Sequence, residues 1–188
     1  MEDYLQLNEI DNSINYFKKS ISKDPNNISA LNNLGGALQR NKKYKEAINV
    51  YEKAIKIKPD HIDALTNLAN SQASLKKFSE AITYYKKIIE INPDNFVIYN
   101  NLGKAFEELN NIDEAIKSYK KSIKLKPDYY LSYNNLGNVY QNTKNYYGYV
   151  FMHHLPIDVA SVLLNQILHK MVGPASHQEQ RVFLFLHQ

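Results

Sequence analysis

The segment KAIKIKPD at residues 53–60 decides the fold, because the chain repeats it at a fixed interval. Similar segments recur as KIIEINPD at 87–94 and KSIKLKPD at 121–128, and a less similar one as KSISKDPN at 19–26. The proline of this segment therefore recurs every 34 residues, as Pro25, Pro59, Pro93 and Pro127. Self-similarity at such a period predicts stacked supersecondary units that bury their apolar faces against one another.

Within each unit, apolar residues follow the spacing i, i+3, i+4, i+7 of an amphipathic helix. This spacing predicts first helices at 29–41, 62–75, 96–109 and 130–143, and second helices at 45–57, 79–91 and 113–125. The recurring proline should end each second helix, since it cannot continue the hydrogen-bond ladder. The aspartates that follow, Asp60, Asp94 and Asp128, offer side-chain acceptors near the next helix start.

Small residues recur on both helices of a unit and predict close approach of their backbones. Gly35 and Gly103 on first helices are expected to face Ala47 and Ala115 on second helices. The recurring tyrosines and phenylalanines are expected to fill the space between successive hairpins, as core residues rather than ligand contacts.

This pattern of small residue, alanine and proline resembles the tetratricopeptide repeat family over residues 1–147. The resemblance implies an all-α fold: a right-handed superhelical solenoid of antiparallel helical hairpins, whose first helices line a concave groove. Residues 1–27 are then a partial first repeat, with the end of one helix followed by a second helix at about 11–23. Residues 28–147 hold three full repeats and the first helix of a fourth.

The amino-acid composition changes sharply after Tyr147. Of the 21 lysines, 20 lie before this point, as do 22 of the 23 asparagines. Residues 148–188 therefore form a divergent tail, with one amphipathic helix predicted at 157–172. Two interpretations stay open: this helix caps the solenoid by packing on helix 130–143, or the tail is an artefact of the gene model. The incomplete first unit also fits a fragment of a longer repeat protein.

Composition argues against several classes of partner. The net charge of +4 arises in residues 1–147, with 21 basic minus 17 acidic residues. Most lysines fall on second helices and predict a solvated outer face; with only Arg40 and Arg181 as arginines, nucleic-acid binding is not expected. No cysteine, no signal peptide and no membrane-length apolar stretch is present, which predicts a cytoplasmic or nuclear protein without a membrane partner.

Catalytic and metal-binding patterns are not recognisable in the sequence. The tail histidines His153, His154, His169 and His177 fit no familiar zinc-ligand spacing. No nucleophile–base arrangement or phosphate-binding loop stands out. We therefore predict no enzymatic activity, no metal, no cofactor and no small-molecule substrate.

A ladder of asparagines recurs inside the four first helices, as Asn33, Asn67, Asn101 and Asn135. Asparagine is a mediocre helix former, so this recurrence needs a reason. A row of amides, each with donors and an acceptor, can pair with the backbone of an extended peptide; the alternative is the asparagine-rich composition of the repeats. The predicted peptide-binding set also includes the neighbours Asn32, Asn100 and Asn134 and, one turn on, Asn70, Lys104 and Asn138.

The ladder is similar to the one in the repeat arm of O-linked N-acetylglucosamine transferases and other peptide-carrying members of the family. The resemblance implies an interaction module that binds an extended peptide segment of a protein partner or, alternatively, the substrate-recruiting part of such a transferase. A third hypothesis is assembly scaffolding through the convex face or through stacking of solenoids at the uncapped N-terminal end. Relatives that grip chaperone tails carry a lysine where this chain has Asn32, Thr66, Asn100 and Asn134, so a chaperone-tail receptor is not expected.

Overall fold

The computed structural model describes residues 2–142, with side chains described from Glu9 onward. These residues form eight α-helices and no strand, which confirms the all-α repeat fold. The predicted boundary at residue 147, the tail 148–188 and the helix at 157–172 lie outside the described residues. The helices are α1 Glu2–Lys23, α2 Ile28–Arg40, α3 Tyr44–Ile57, α4 Ile62–Ser74, α5 Phe78–Ile91, α6 Phe96–Glu108, α7 Ile112–Leu125 and α8 Tyr130–Asn142.

The turns inside the hairpins share one backbone geometry. Lys42, Lys76 and Asn110, spaced 34 residues apart, all have φ between 57° and 59°. The residue after each donates its N–H across the turn to a carbonyl of the first helix; Lys43 N, for example, lies 2.9 Å from Leu38 O. A residue with positive φ, followed by an N–H that bonds to the carbonyl five residues earlier, ends a helix and satisfies its last carbonyls.

The helix starts differ in one detail from the sequence-based prediction. The capping side chains belong to Asn27, His61 and Asn95, each one residue beyond the Asp position of the repeat. Asn27 Oδ1 accepts from Ala30 N at 2.9 Å, and His61 Nδ1 accepts from Ala64 N at 3.2 Å. These acceptors satisfy a free N–H in the first turn of each helix, so Asp60 and Asp94 are not the caps.

At the N-terminus, the predicted break before a second helix at residue 11 is wrong. One continuous helix, α1, runs from Glu2 to Lys23. The segment contains no glycine or proline that would interrupt the ladder. Its later part packs like the second helix of a hairpin: Ile14 is buried, and Ile10, Phe17 and Ile21 contact the same core cluster.

The core lies between consecutive helices and follows the period of the repeat. Ala47, Ala81 and Ala115 on the second helices are 0 % exposed. The tyrosines one turn later, Tyr51, Tyr85 and Tyr119, are at most 2 % exposed, which confirms the expectation that they are core residues. Each second helix also packs on the next first helix, and the partly buried Ile55, Tyr84 and Phe106 each contact more than one of the resulting core clusters.

Gly35 and Gly103 accommodate tyrosine rings, and the predicted contact with alanine is not their closest one. A Cβ placed on Gly103 would lie 2.7 Å from both Cδ1 and Cε1 of Tyr119, and one on Gly35 would overlap the Tyr51 ring. The phenol ring therefore lies directly on the first-helix backbone, at a distance that excludes any side chain.

This contact makes Gly35→Ala destabilising, although alanine normally favours a helix. We expect the free energy of unfolding to fall by about 1–3 kcal/mol, because the added methyl group forces the Tyr51 ring to move. Urea denaturation followed by circular dichroism measures the change.

Gly36→Ala is the matched control on the same helix. Its added Cβ meets nothing closer than Tyr51 Oη at 3.9 Å, so the change should stabilise the protein by about 0.5–1 kcal/mol. Equal effects of the two substitutions would contradict the proposed ring contact.

Candidate functional site

Each of the four ladder asparagines lies on the same face of its first helix. The residues of this face follow one another at intervals of four, three and four positions. In α4 this face reads Asp63, Asn67, Asn70 and Ser74. Asn33 is exposed, whereas Asn67, Asn101 and Asn135 are half-buried. The amides therefore form the floor of a surface that remains open to solvent.

Hydrogen bonds connect the ladder from one repeat to the next. Asn67 Nδ2 donates to Asn32 Oδ1 at 3.1 Å, and Asn135 Nδ2 donates to Asn100 Oδ1 at 2.9 Å. Between these pairs, Asn101 Nδ2 donates to Asn70 Oδ1 at 3.5 Å. This bond is longer and has a different acceptor because Thr66 takes the place of Asn32 and Asn100 in that repeat.

The remaining candidates have different surroundings. Lys104 and Asn138 are exposed, Asn134 is half-buried, and none of the three has a hydrogen bond to another described side chain. Asn100 is buried and accepts two hydrogen bonds, from Asn135 and from Ser132 Oγ at 3.0 Å. Asn100 thus serves the interior, while its neighbours in the ladder remain accessible.

The Asn100 amide belongs to a polar network that sequence reasoning missed. Ser132 Oγ lies 2.7 Å from Ser122 Oγ, which donates to the Phe96 carbonyl at 2.7 Å. The corresponding core pairs are Ala54 with Ala64 and Ile88 with Ile98. Comparing repeats at an offset of 34 residues identifies this pair as the polar exception, which is the signal that could have found it.

A cleft of about 550 Å³ lies at the N-terminal end of the ladder, between α1 and α2. Asn32, Asn33, Asn67 and Gly36 line it, together with the exposed Arg40. Ile10, Phe17 and Ala37 provide an apolar wall. Asn33 has no hydrogen-bond partner among the described residues, so its donors and acceptor are available here.

Tyrosine hydroxyls fix the side chains around the ladder. Tyr85 Oη donates to Asn70 Oδ1 at 2.7 Å, so Asn70 is held both by this phenol and by Asn101. In the neighbouring repeats, Tyr51 Oη donates to Gln39 at 3.1 Å and Tyr119 Oη to Glu107 at 2.9 Å. The middle repeat differs because Ala73, at the position of Gln39 and Glu107, has no acceptor to offer.

Burial controls the ionisation of these phenols. It raises the pKa of Tyr51 to about 12, against a smaller opposing effect of Arg40, and the pKa of Tyr85 to about 12. Burial, and then the Glu107 and Glu108 carboxylates, hold the pKa of Tyr119 well above its usual value. The arrangement is a set of neutral donors rather than a source of phenolate nucleophiles.

The described residues offer no metal site and no membrane-spanning element. No group of three or more His, Cys, Asp or Glu side chains within residues 2–142 could hold a metal ion. None of the helices in this part of the chain is long and apolar enough to cross a bilayer.

Comparison with family models confirms the resemblance noted in the sequence. Models described as tetratricopeptide repeat match residues 4–27, 26–94 and 84–117, and one described as TPR repeat matches residues 108–144. Residues 4–144 belong to the tetratricopeptide repeat family. None of the curated proteins matches the chain.

Solved structures share the fold of this tetratricopeptide repeat protein. A crystal structure of MamA superposes with a TM-score of 0.71 at 23 % identity, over 87 % of this chain and 89 % of that one. The first TPR domain of Spaghetti (RPAP3), bound to the HSP90 peptide SRMEEVD, superposes with a TM-score of 0.60 at 27 % identity. The match covers 62 % of this chain and 93 % of that one. YrrB, described as a TPR protein with an unusual peptide-binding site, superposes with a TM-score of 0.65 at 18 % identity. The match covers 90 % of this chain and 81 % of that one.

The raised tyrosine pKa values predict a loss of stability at alkaline pH. Between about pH 10 and about 12 the unfolded chain releases phenolic protons that folded Tyr51 and Tyr85 retain, so the free energy of unfolding falls as pH rises through this window. Tyr51→Phe should make this decline shallower, as measured by urea denaturation over the same range.

Tyr16→Phe is the control, because that side chain is 72 % exposed. The prediction is wrong if Tyr51→Phe leaves the alkaline decline as steep as it is in the unmodified protein.

Proposed function

We propose that the chain is a non-catalytic interaction module that binds an extended peptide segment of a protein partner along the asparagine ladder. The observation that carries the proposal is the strip of amides that joins neighbouring first helices, from Asn32 and Asn67 to Asn100 and Asn135. Each primary amide has two donors and two acceptor lone pairs, and these bonds use only part of that capacity. The remainder can pair with the N–H and C=O groups of a peptide backbone.

The internal hydrogen bonds support this proposal by holding the amides in place. A side chain that is already oriented loses less conformational entropy when a ligand binds, so more of the hydrogen-bond energy contributes to affinity. Tyr85 adds to this effect by fixing Asn70. The cleft beside Asn33, with its wall of Ile10 and Phe17, offers space for one side chain of the peptide.

The tetratricopeptide repeats of Spaghetti (RPAP3), at 27 % identity, hold a peptide, which supports the same class of partner here. Asn32, Thr66 and Asn134 stand where chaperone-tail receptors of this family carry a lysine, so we propose a different peptide class, gripped by its backbone.

The double variant Asn67→Ala with Asn101→Ala tests the ladder. A peptide is first selected from a random peptide library on the unmodified full-length protein, and its affinity is then measured by calorimetry. We expect about tenfold to a hundredfold weaker binding, since two backbone-directed hydrogen-bonding groups at about 1 kcal/mol or more each are lost. Helicity should stay the same, because neither side chain takes part in the apolar core.

Asn15→Ala is the matched control, since it removes an exposed asparagine of α1 that belongs neither to the ladder nor to a cleft lining, and it should leave affinity unchanged. A loss of binding that only follows a loss of helicity, or unchanged affinity in the double variant, would refute the proposal.

The second candidate is the substrate-recruiting part of a larger O-linked N-acetylglucosamine transferase, and the amide ladder is the feature that favours it. This candidate requires the repeats to be part of a polypeptide with a catalytic domain. The mass of the natively expressed protein discriminates between the two: 21.8 kDa favours the separate module, whereas a much larger polypeptide that transfers N-acetylglucosamine to the selected peptide favours the transferase.

A further inference from the structure

Gln72 is the polar exception at a core position of the repeat. At the 34-residue spacing, the equivalent residues are Leu38, Phe106 and Tyr140. Gln72 is only 6 % exposed, and its Oε1 atom has no hydrogen-bond partner among the described residues. A buried acceptor without a partner costs about 1–3 kcal/mol, so this position is less stable than the apolar residues of the other repeats would make it.

A cleft of about 380 Å³ opens beside this side chain, between α3 and the α4–α5 turn. Ile48 and Leu75 form its apolar walls, and Glu52 and Asn49 line it with Gln72. Lys45 and Lys77 complete the lining. Gln72 follows Asn67 by five residues, about 140° around the helix, so the cleft lies on a different face from the ladder.

The contact between α5 and α6, one repeat further on, shows what this place holds when the chain fills it. There the residues equivalent to Gln72 and Glu52 are Phe106 and Lys86. Lys86 Nζ lies 5.9 Å from the centre of the Phe106 ring, so the chain places its own cation against the electron-rich ring face. Between α3 and α4 the cation is replaced by a carboxylate and the ring by an amide, which leaves two acceptors.

The charge of Glu52 reaches into half-buried surroundings. Burial first, and then the carboxylates of Glu52 and Glu80, raise the pKa of Tyr84, which is half-buried on α5. A carboxylate in such surroundings interacts more strongly with an incoming cation than it would in bulk water.

We propose that this cleft is a second binding site, which takes an arginine side chain of a protein partner. The guanidinium donates to the unpartnered Gln72 Oε1 and to the Glu52 carboxylate, while its methylene groups pack between Ile48 and Leu75. Arginine fits better than lysine because its planar fork of five N–H donors serves two separate acceptors and is weakly hydrated. Lys45 and Lys77 favour acidic residues next to that arginine.

Titration of the isotope-labelled full-length protein with N-acetylarginine amide tests the site by NMR. The side-chain amide of Gln72 and the backbone amide of Leu75 should shift saturably, and the uncharged analogue N-acetylnorleucine amide should leave them in place. N-acetyllysine amide should bind at least severalfold more weakly. If N-acetylarginine amide causes no saturable shift, the cleft holds water only and the proposal fails.

Two variants copied from the other repeats sharpen the test. Gln72→Leu introduces the residue found at Leu38, so it should raise the melting temperature and weaken binding at least tenfold; loss of binding then cannot be attributed to unfolding. Glu52→Lys introduces the residue found at Lys86 and should abolish binding.

Glu46→Lys is the matched control, because it makes the same charge change at an exposed position of α3 that does not line the cleft. The proposal is overturned if Gln72→Leu binds N-acetylarginine amide as well as the unmodified protein does. It is also overturned if Glu46→Lys weakens binding as much as Glu52→Lys.

Discussion

The contact between a tyrosine ring and the backbone of its partner helix determines how each hairpin closes. Where the first helix has Gly35 or Gly103, the ring lies against the backbone, and its hydroxyl reaches an acceptor one turn further along. Where the first helix has Ala69, the hydroxyl of Tyr85 bonds to Asn70 instead. In this middle hairpin the tyrosine therefore connects the core with the ladder, because Asn70 also accepts from Asn101.

The ladder has a structural part and an accessible part, and the two depend on each other. Asn100 is buried and accepts from Ser132 and Asn135, so its amide is committed to the interface between repeats. Asn33, at the other end, is exposed beside an open cleft and has its full hydrogen-bonding capacity. Hydrogen bonds between neighbouring repeats hold the amides of this surface in place. This property suits the recognition of an extended backbone, since little side-chain entropy remains to be lost on binding.

Much of the fold could be predicted from the sequence, because the period fixes helix positions several times over. For example, two of the predicted first helices begin at residues 62 and 96, and the structure begins α4 at Ile62 and α6 at Phe96. The sequence-based prediction missed the continuous helix α1, because it carried the turn of the other repeats into a segment that has no glycine or proline to interrupt the helix. The ladder itself was visible, but its cross-repeat bonds and the Ser122–Ser132 pair depend on distances between units. In the sequence, Gln72 stands out as a polar residue only by comparison with Leu38. That its Oε1 atom has no hydrogen-bond partner among the described residues can be seen only in the structure.

A crystal structure of the full-length protein with a peptide selected from a random library tests the central claim most directly. The account predicts an extended peptide that crosses the first helices, with its backbone N–H and C=O groups within hydrogen-bonding distance of the side-chain amides of Asn67, Asn101 and Asn135. A peptide that contacts the ladder only through its side chains, or that binds on the second helices, would contradict it.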